Sequence, residues 1–313
     1  MAEQNTSHML MIRPIAFESN SETAEDNHYQ HEIQGLSDTK TQNQALQEFD
    51  SFVGKLRDAG INIIVVEDTP ESKTPDSIFP NNWISMHGNG VVVLYPMYAP
   101  NRRKERRLDI LETLKEKGFH IKEVIDLSPV ENEGRILEGT GSLVLDHENS
   151  IAYACLSHRT NEKELERWAK LTDYKTVPFH ALQNVEGQLL PIYHTNVMMS
   201  VGKELAIVCA DSIKDETERK TLIDSLKKTG KQMVFISEEQ KSSFAGNMLQ
   251  VVNNMNEKIM VMSSQAFESL TAEQISTIEK TNRILHSPLN TIEALGGGSA
   301  RCMMAEVFLP LIR

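Results

Sequence analysis

One pattern recurs through the sequence at nearly regular intervals. Pairs of apolar runs joined by polar turns begin near Asn82, Gly141, Asn196, Asn247 and Arg301, and these positions lie 59, 55, 51 and 54 residues apart. Apolar runs separated by turn residues predict β-hairpins. Repetition at a fixed period predicts an architecture built from copies of one unit.

A helix and a further strand are predicted after each hairpin. Leu46, Phe49, Phe52, Val53 and Leu56 illustrate the helical spacing of apolar residues. The predicted helices lie near 41–59, 101–117, 160–171, 213–229 and 271–282. The strands that follow them are predicted at 61–66, 120–125, 175–177, 233–236 and 283–285.

The first copy lacks half of its hairpin, and the two ends of the chain can supply the missing pairing. A strand at 10–15 would pair with a strand at 303–308, directly after Cys302. Radial repetition of this kind leaves few exposed sheet edges. The sequence therefore predicts an α/β ring of five strand–strand–helix–strand repeats with pseudo-fivefold symmetry, in which residues 1–313 form a single domain.

Bulk composition narrows the classes of function. The chain has 313 residues and a formal net charge of −12, which argues against general nucleic-acid binding. It shows no signal-peptide pattern and no apolar stretch of about 18 residues, so no membrane partner is expected. Three cysteines cannot form a disulfide framework, which favours a reducing, cytoplasmic location. Homo-oligomer formation is left open.

Polar side chains occupy the hairpin starts, which the ring would turn toward one central cavity. They are Asp76, Asn82, Glu138, His194, Asn196 and Cys302. Each alone has a structural explanation as a turn residue, a cap or a buried small side chain. Together they supply a thiol, an imidazole and a carboxylate, the set required for covalent catalysis. Metal binding is less favoured because no zinc-ligand spacing is present.

Cys302 is the strongest single candidate. It follows the glycine-rich run 296–301 and the positive charge of Arg301, which would favour the reactive thiolate. Cys155 and Cys209 lie within apolar runs and are expected to serve packing. The basic run 102–107 follows Pro100; it predicts either a solvated helix face or a helix start beside an anion site.

Several motifs in order resemble the guanidine-modifying superfamily, which includes arginine deiminases, dimethylarginine hydrolases and amidinotransferases. Its branch of citrulline-utilisation hydrolases is the most similar. The resemblance covers nearly the whole chain and implies the pentein fold, a five-bladed α/β propeller. It rests on residues 20–24 (NSETA), 75–83 (PDSIFPNNW), 99–105 (APNRRKE), 137–139 (LEG), 156–161 (LSHRTN), 193–196 (YHTN) and 296–302 (GGGSARC).

The resemblance assigns roles to these residues. Cys302 would attack the central carbon of a guanidino or ureido group, with His194 as general acid and then base. Glu138 would orient that histidine or hold a substrate nitrogen. Arg102 and Arg159 would grip the α-carboxylate of an amino-acid substrate, although a helix-surface and a strand-end charge are the structural alternatives. No metal or organic cofactor is implied.

The chain departs from arginine deiminases at two positions. Asn82 and Asn196 stand where that group carries aspartates that clamp the guanidinium, which leaves Asp76 and Glu138 to compensate. Because an amide both donates and accepts hydrogen bonds, it suits a neutral ureido group. We therefore expect hydrolysis of citrulline to ornithine, ammonia and carbon dioxide through an S-carbamoyl cysteine. An arginine deiminase, an amidinotransferase and a non-catalytic amino-acid-binding propeller are the alternatives. The polar segment 17–40 is expected to contain a mobile lid.

Overall fold

The chain has a mixed α/β fold. The computed structural model describes residues 3–24, 26–31, 38–69 and 73–312. The strands are β1 (His8–Arg13), β2 (Asn62–Glu67), β3 (Ile84–Met86), β4 (Val91–Leu94), β5 (Glu123–Asp126), β6 (Leu143–Asp146), β7 (Ile151–Cys155), β8 (Lys175–Phe179), β9 (Leu182–Val185), β10 (Gln188–Pro191), β11 (Met199–Val201), β12 (Leu205–Val208), β13 (Gln232–Phe235), β14 (Leu249–Val252), β15 (Lys258–Ser263), β16 (Arg283–Ser287) and β17 (Ala305–Glu306).

Helices connect most of these strands and vary widely in length. They are α1 (Asp38–Asp58), α2 (Asp109–Glu116), α3 (Gly139–Ser142), α4 (Glu162–Thr172), α5 (Glu216–Lys228), α6 (Glu238–Ser242), α7 (Ser264–Ser269), α8 (Ala272–Glu279) and α9 (Asn290–Gly296). Among the described helices, none is long and apolar enough to span a bilayer.

The predicted repeat is confirmed at the level of strand pairing. Within the described ranges, five three-stranded sheets share one pattern, in which the central strand pairs antiparallel with one neighbour and parallel with the other. A helix lies between the two parallel strands each time. Four of the sheets are β3-β4-β5, β6-β7-β8, β11-β12-β13 and β14-β15-β16.

The fifth sheet joins the two ends of the chain, as the sequence predicted. β1 pairs antiparallel with β17, with Met9 opposite Glu306 and Leu10 opposite Ala305. The same strand pairs in parallel with β2. Strands β4, β7, β12 and β15 are almost fully buried. This burial explains their near-continuous apolar sequences, because covered central strands have no solvent face.

Two sequence predictions were wrong in extent, and several elements were missed. The helix expected at 101–117 is a 3₁₀ turn at Arg102–Glu105 followed by α2, because Arg106 is extended between them. The strand expected at 303–308 is limited to β17, because backbone hydrogen bonds to Ser299 and Arg301 hold residues 302–304 in turns. The β9–β10 hairpin and helices α6, α7 and α9 were not predicted.

Candidate active site

Short helical turns at the hairpin starts bring the polar residues together. Pro80–Asn82 and Thr195–Val197 form 3₁₀ turns before β3 and β11, and α3 precedes β6. Glycine permits the close approach: a Cβ at Gly141 would lie 2.5 Å from the Asn82 Nδ2 atom and 2.8 Å from the His194 ring. Residues from three separate repeats therefore meet at one point.

His194 and Glu138 form a buried pair. The His194 Nε2 atom lies 2.8 Å from the Glu138 Oε2 atom, and both side chains are almost completely buried. Because an ionised carboxylate only accepts hydrogen bonds, Nε2 carries the proton and Nδ1 holds a lone pair when the ring is neutral. Burial lowers the pKa of His194, although Glu138 acts in the opposite direction.

Glu138 is held in its ionised form by surrounding cations. Burial alone would raise its pKa, but Arg159, His194 and Arg102 outweigh this effect and lower the pKa to about 2. The Arg159 and Arg102 guanidinium groups lie 3.6 and 4.0 Å from its Oε2 atom. The backbone N–H of Tyr98 donates to the Oε1 atom at 2.9 Å. The side chain is thus a fixed negative charge behind the imidazole.

The Cys302 sulfur faces two amide donors. The Asn196 Nδ2 atom lies 3.4 Å from Sγ and the Asn247 Nδ2 atom lies 3.2 Å from it. Cys302 is 4% exposed and follows α9, which is capped by Gly297 in the left-handed conformation. Sequence reasoning missed Asn247 as a site residue, although it occupies the same repeat position as Asn82 and Asn196.

The other two cysteines have different surroundings. Cys155 lies in the core, where burial raises the pKa of its thiol to about 12, and its Sγ atom donates to the carbonyl oxygen of Ile192 at 3.6 Å. Burial also raises the pKa of Cys209. Both therefore serve packing, as the sequence predicted.

Arg102 is an internal residue rather than a surface charge. Its guanidinium donates twice to Glu105, at 3.0 Å each, and its Nη1 atom donates to the Asn82 Oδ1 atom at 2.9 Å. Its Nε atom also lies 3.6 Å from the Asp76 carboxylate. The surface alternative for Arg102 is therefore wrong. In this structure its hydrogen bonds go to Glu105 and Asn82 and to the backbone carbonyl oxygens of Asp76 and Phe79.

Two further arginines of the basic run are engaged within the protein. Arg103 and Arg106 both lie beside Glu131, and the Arg106–Glu131 contact is 2.7 Å. These two arginines therefore pair internally, whereas Lys104 of the same run is exposed.

Arg159 is also buried, with a partner from the N-terminal arm, which we define as residues 17–24 and 26–31. Its guanidinium forms a two-point ion pair with Asp26, with an Nε–Oδ2 distance of 2.8 Å. Its charge also lies 4.8 Å from the centroid of the Tyr193 ring. Asp26 is the more exposed partner, with 17% of its side chain accessible. The strand-end alternative for Arg159 does not describe this environment.

The N-terminal arm contacts several segments of the site. Asn20 donates to the Asp76 Oδ2 atom at 2.7 Å, and Asn27 donates to the carbonyl oxygen of Gly296 at 3.2 Å. The backbone N–H of Asn101 donates to Glu22 at 2.8 Å. Within the segment 17–40 predicted to contain a lid, residues 25 and 32–37 lie outside the described residues.

Several buried polar atoms at the site have no hydrogen-bond partner among the described residues. They are Asp76 Oδ1, Asn81 Oδ1, Asn81 Nδ2, Asn82 Nδ2 and Asn196 Oδ1. Buried polar atoms in folded proteins are normally satisfied, so these donors and acceptors indicate a site for a polar ligand. Burial raises the pKa of Asp76, while Arg102 and Arg159 oppose that change. No cluster able to hold a metal ion occurs in the part of the chain that the structure describes.

Comparison with known protein families identifies relatives of the chain. The family described as N,N dimethylarginine dimethylhydrolase, eukaryotic, matches residues 13–309. The chain belongs to this family. Its members act on guanidino C–N bonds, so the resemblance to the guanidine-modifying superfamily is confirmed. No curated protein matches the sequence significantly.

Solved structures share the fold at low sequence identity. The arginine dihydrolase ArgZ from cyanobacteria is 18% identical with a TM-score of 0.72, and the match covers 97% of this chain and 41% of that one. The chain thus spans less than half of full-length ArgZ. Its substrate-bound N-terminal domain is 18% identical with a TM-score of 0.72, covering 97% of this chain and 99% of that domain. DDAH from Pseudomonas aeruginosa, complexed with citrulline, is 15% identical with a TM-score of 0.62, and the match covers 98% of this chain and 99% of that one.

Proposed function

We propose that this protein is a cysteine-dependent hydrolase that converts citrulline to ornithine, ammonia and carbon dioxide. The orientation of Asn82 carries the proposal. Because Arg102 is a pure donor, the Asn82 Oδ1 atom must face it, which leaves Nδ2 as an unpartnered donor beside the His194 ring. A fixed donor at this point can bond to the carbonyl oxygen of a ureido group. It would repel the N–H groups of a guanidinium, which are donors themselves.

Asn196 supplies the complementary acceptor. Its Nδ2 atom donates to the Cys302 sulfur, and its buried Oδ1 atom has no partner among the described residues. The terminal NH₂ group of citrulline would donate to this oxygen. A ureido group would thus bind between one amide donor and one amide acceptor, with its carbon near the sulfur.

The proposed chemistry begins with transfer of the Cys302 thiol proton to His194 Nδ1, and the thiolate so formed adds to the ureido carbon. The Asn82 Nδ2 donor stabilises the developing oxyanion, and His194 Nδ1 delivers a proton to the departing δ-nitrogen. Ornithine leaves, and the carbamoyl group remains on sulfur. His194 then removes a proton from water, which attacks the same carbon and restores the thiolate. The released carbamate decomposes to ammonia and carbon dioxide.

Glu138 and Arg159 support these steps. The carboxylate fixes the imidazole with Nε2 protonated, so Nδ1 is the nitrogen that exchanges protons. Arg159 is the better candidate for the substrate α-carboxylate, because its partner Asp26 lies on the N-terminal arm and can be displaced. Arg102 would act by orienting Asn82.

Arginine is the second candidate substrate. One buried oxygen of Asp76 has no partner in the described structure, so a carboxylate acceptor for a guanidinium is present near the amides. With arginine, ammonia would leave first and water would release citrulline. The same covalent intermediate with an amine acceptor would give an amidinotransferase.

We further propose that the five sheets form one catalytic domain, arranged as the five blades of the pentein propeller. The joining of both chain ends in one sheet supports this arrangement.

Product analysis of separate citrulline and arginine reactions tests the proposed function. We expect ornithine and ammonia from citrulline, with activity abolished in Cys302→Ala and retained in the control Cys209→Ala. Citrulline formed from arginine, with no turnover of added citrulline, would assign the deiminase reaction. Turnover of neither, with saturable binding of citrulline, would favour the non-catalytic binding protein.

A further inference from the structure

We propose that Asn247 is a further catalytic residue, an anchored amide donor that stabilises the thiolate of Cys302. The inference deepens the proposed function and rests on Cys302 being its nucleophile. Its starting point is the 3.2 Å contact between the Asn247 Nδ2 atom and the Cys302 sulfur, which joins side chains from two different repeats.

The orientation of Asn247 is fixed on its other side. Its Oδ1 atom accepts the backbone N–H of Arg301 at 3.0 Å, and its Nδ2 atom also donates to the carbonyl oxygen of Asn196 at 3.0 Å. Because a backbone N–H only donates and a carbonyl oxygen only accepts, reversal of the amide would break both bonds. The side chain is 1% exposed, so water cannot replace them readily.

The backbone before Asn247 is shaped to bring it this close. A Cβ at Gly246 would lie 2.3 Å from the carbonyl oxygen of Val197, far inside any normal contact. Glycine is therefore required there for the turn of one repeat to reach the neighbouring one. The approach of Asn247 to the sulfur is built into the fold and does not depend on a mobile side chain.

The two amides on the sulfur differ in what they can do. Asn196 lies slightly farther, at 3.4 Å, and its Oδ1 atom has no partner among the described residues. Its Oδ1 atom is therefore available to accept a hydrogen bond from substrate, whereas both polar atoms of the Asn247 amide are engaged within the protein. Donors of this kind favour the thiolate, since a hydrogen bond to an ionised acceptor is stronger than one to a neutral acceptor. The Cys155 sulfur instead faces carbonyl oxygens, which favour its thiol.

The Asn247→Asp variant separates this role from structural support. Aspartate retains an oxygen to accept the Arg301 N–H but places a second, negatively charged oxygen where the donor was. We expect the midpoint of the pH dependence of Cys302 alkylation by iodoacetamide to rise by about one to two pH units, which slows the reaction roughly 10- to 100-fold at pH values below both midpoints. Asn247→Ala should shift in the same direction by less.

Asn253→Asp is the matched control, because this buried asparagine lies between β14 and β15 and contacts Ala59 instead of a cysteine. Its midpoint should stay unchanged. Peptide mass spectrometry assigns the modified cysteine, and circular dichroism with thermal unfolding reports folding. An unchanged midpoint in folded Asn247→Asp and Asn247→Ala would overturn the proposal, even if both variants were less stable.

If neither Asn247 variant folds, Asn196→Ala decides. The proposal predicts that this variant keeps its alkylation midpoint within about half a pH unit, because the shorter, anchored bond remains. A rise of more than about one unit would show that Asn196 carries the effect and would overturn the proposal. Alkylation requires no substrate, so failure of citrulline turnover would refute the proposed function without affecting this result.

Discussion

Replacement of Glu138 by glutamine tests the electrostatic core of the site. The ionised carboxylate lies 2.8 Å from His194 and 3.6 Å from Arg159. Against the effect of burial, the charge of Arg159, the hydrogen bond from His194 and the charge of Arg102 lower its pKa from an ordinary 4.5 to about 2. That difference corresponds to about 3 kcal/mol of stability from ionisation. We expect Glu138→Gln to lower the free energy of unfolding at pH 7 by this amount, because glutamine keeps the shape and removes the charge.

The stabilisation by ionised Glu138 should decrease as the pH falls. Since the pKa of Glu138 is lowered by folding, its contribution is complete above about pH 4.5 and is lost as the pH falls toward 2. The difference in unfolding free energy between wild type and Glu138→Gln should therefore narrow by roughly 1 kcal/mol between pH 7 and pH 3.5.

Urea unfolding followed by the fluorescence of buried Trp83 and Trp168 measures both quantities. The control Glu148→Gln removes a carboxylate beside the half-exposed Lys203 and should cost less than about 1 kcal/mol. Equal unfolding free energies of wild type and Glu138→Gln at pH 7 would show that the Glu138 charge does not stabilise the fold. A difference in unfolding free energy that does not change with pH would show the same.

Three further substitutions probe separate parts of the site. Asp26→Asn should lower KM for citrulline several-fold without changing kcat, because the substrate α-carboxylate would no longer have to displace a carboxylate from Arg159. A higher KM in steady-state assays would show that Asp26 binds substrate. Gly141→Ala should lower kcat at least about 100-fold, because the new Cβ would lie 2.5 Å from Asn82 Nδ2, and unchanged kinetics would contradict this packing. Arg102→Leu, if folded, should reduce the preference for citrulline over arginine in competition assays, because Asn82 could then reverse its amide; an unchanged ratio would mean that Arg102 does not set specificity.

The repeat made much of the fold predictable. Alternation of apolar runs and turns located most strands of the five sheets, and the half-unit at each end predicted the pairing of β1 with β17. The helix boundaries within the basic run were harder to predict from the sequence, because the burial of Arg102 depends on partners distant in sequence. The length of β17 was also hard to predict, because turns around Arg301 compete with extended structure there.

The site was predictable as a set of residues but only partly as a geometry. Position in the repeat selected His194, Glu138 and Cys302, and the first two are in direct contact. The pairing of Arg159 with Asp26 could not be deduced, because it joins residues 133 positions apart and Asp26 lies outside the repeated hairpins. Asn247 could have been found, since it occupies the repeat position of Asn82 and Asn196.

The covalent intermediate offers the most direct test of citrulline hydrolysis through Cys302. Citrulline would be mixed with the enzyme, the reaction quenched in acid during turnover, and the protein analysed by peptide mass spectrometry. We expect one added carbamoyl group on the peptide containing Cys302, present in wild type and missing from Cys302→Ala. Steady turnover of citrulline with no adduct on Cys302, or with an adduct on another residue, would contradict it.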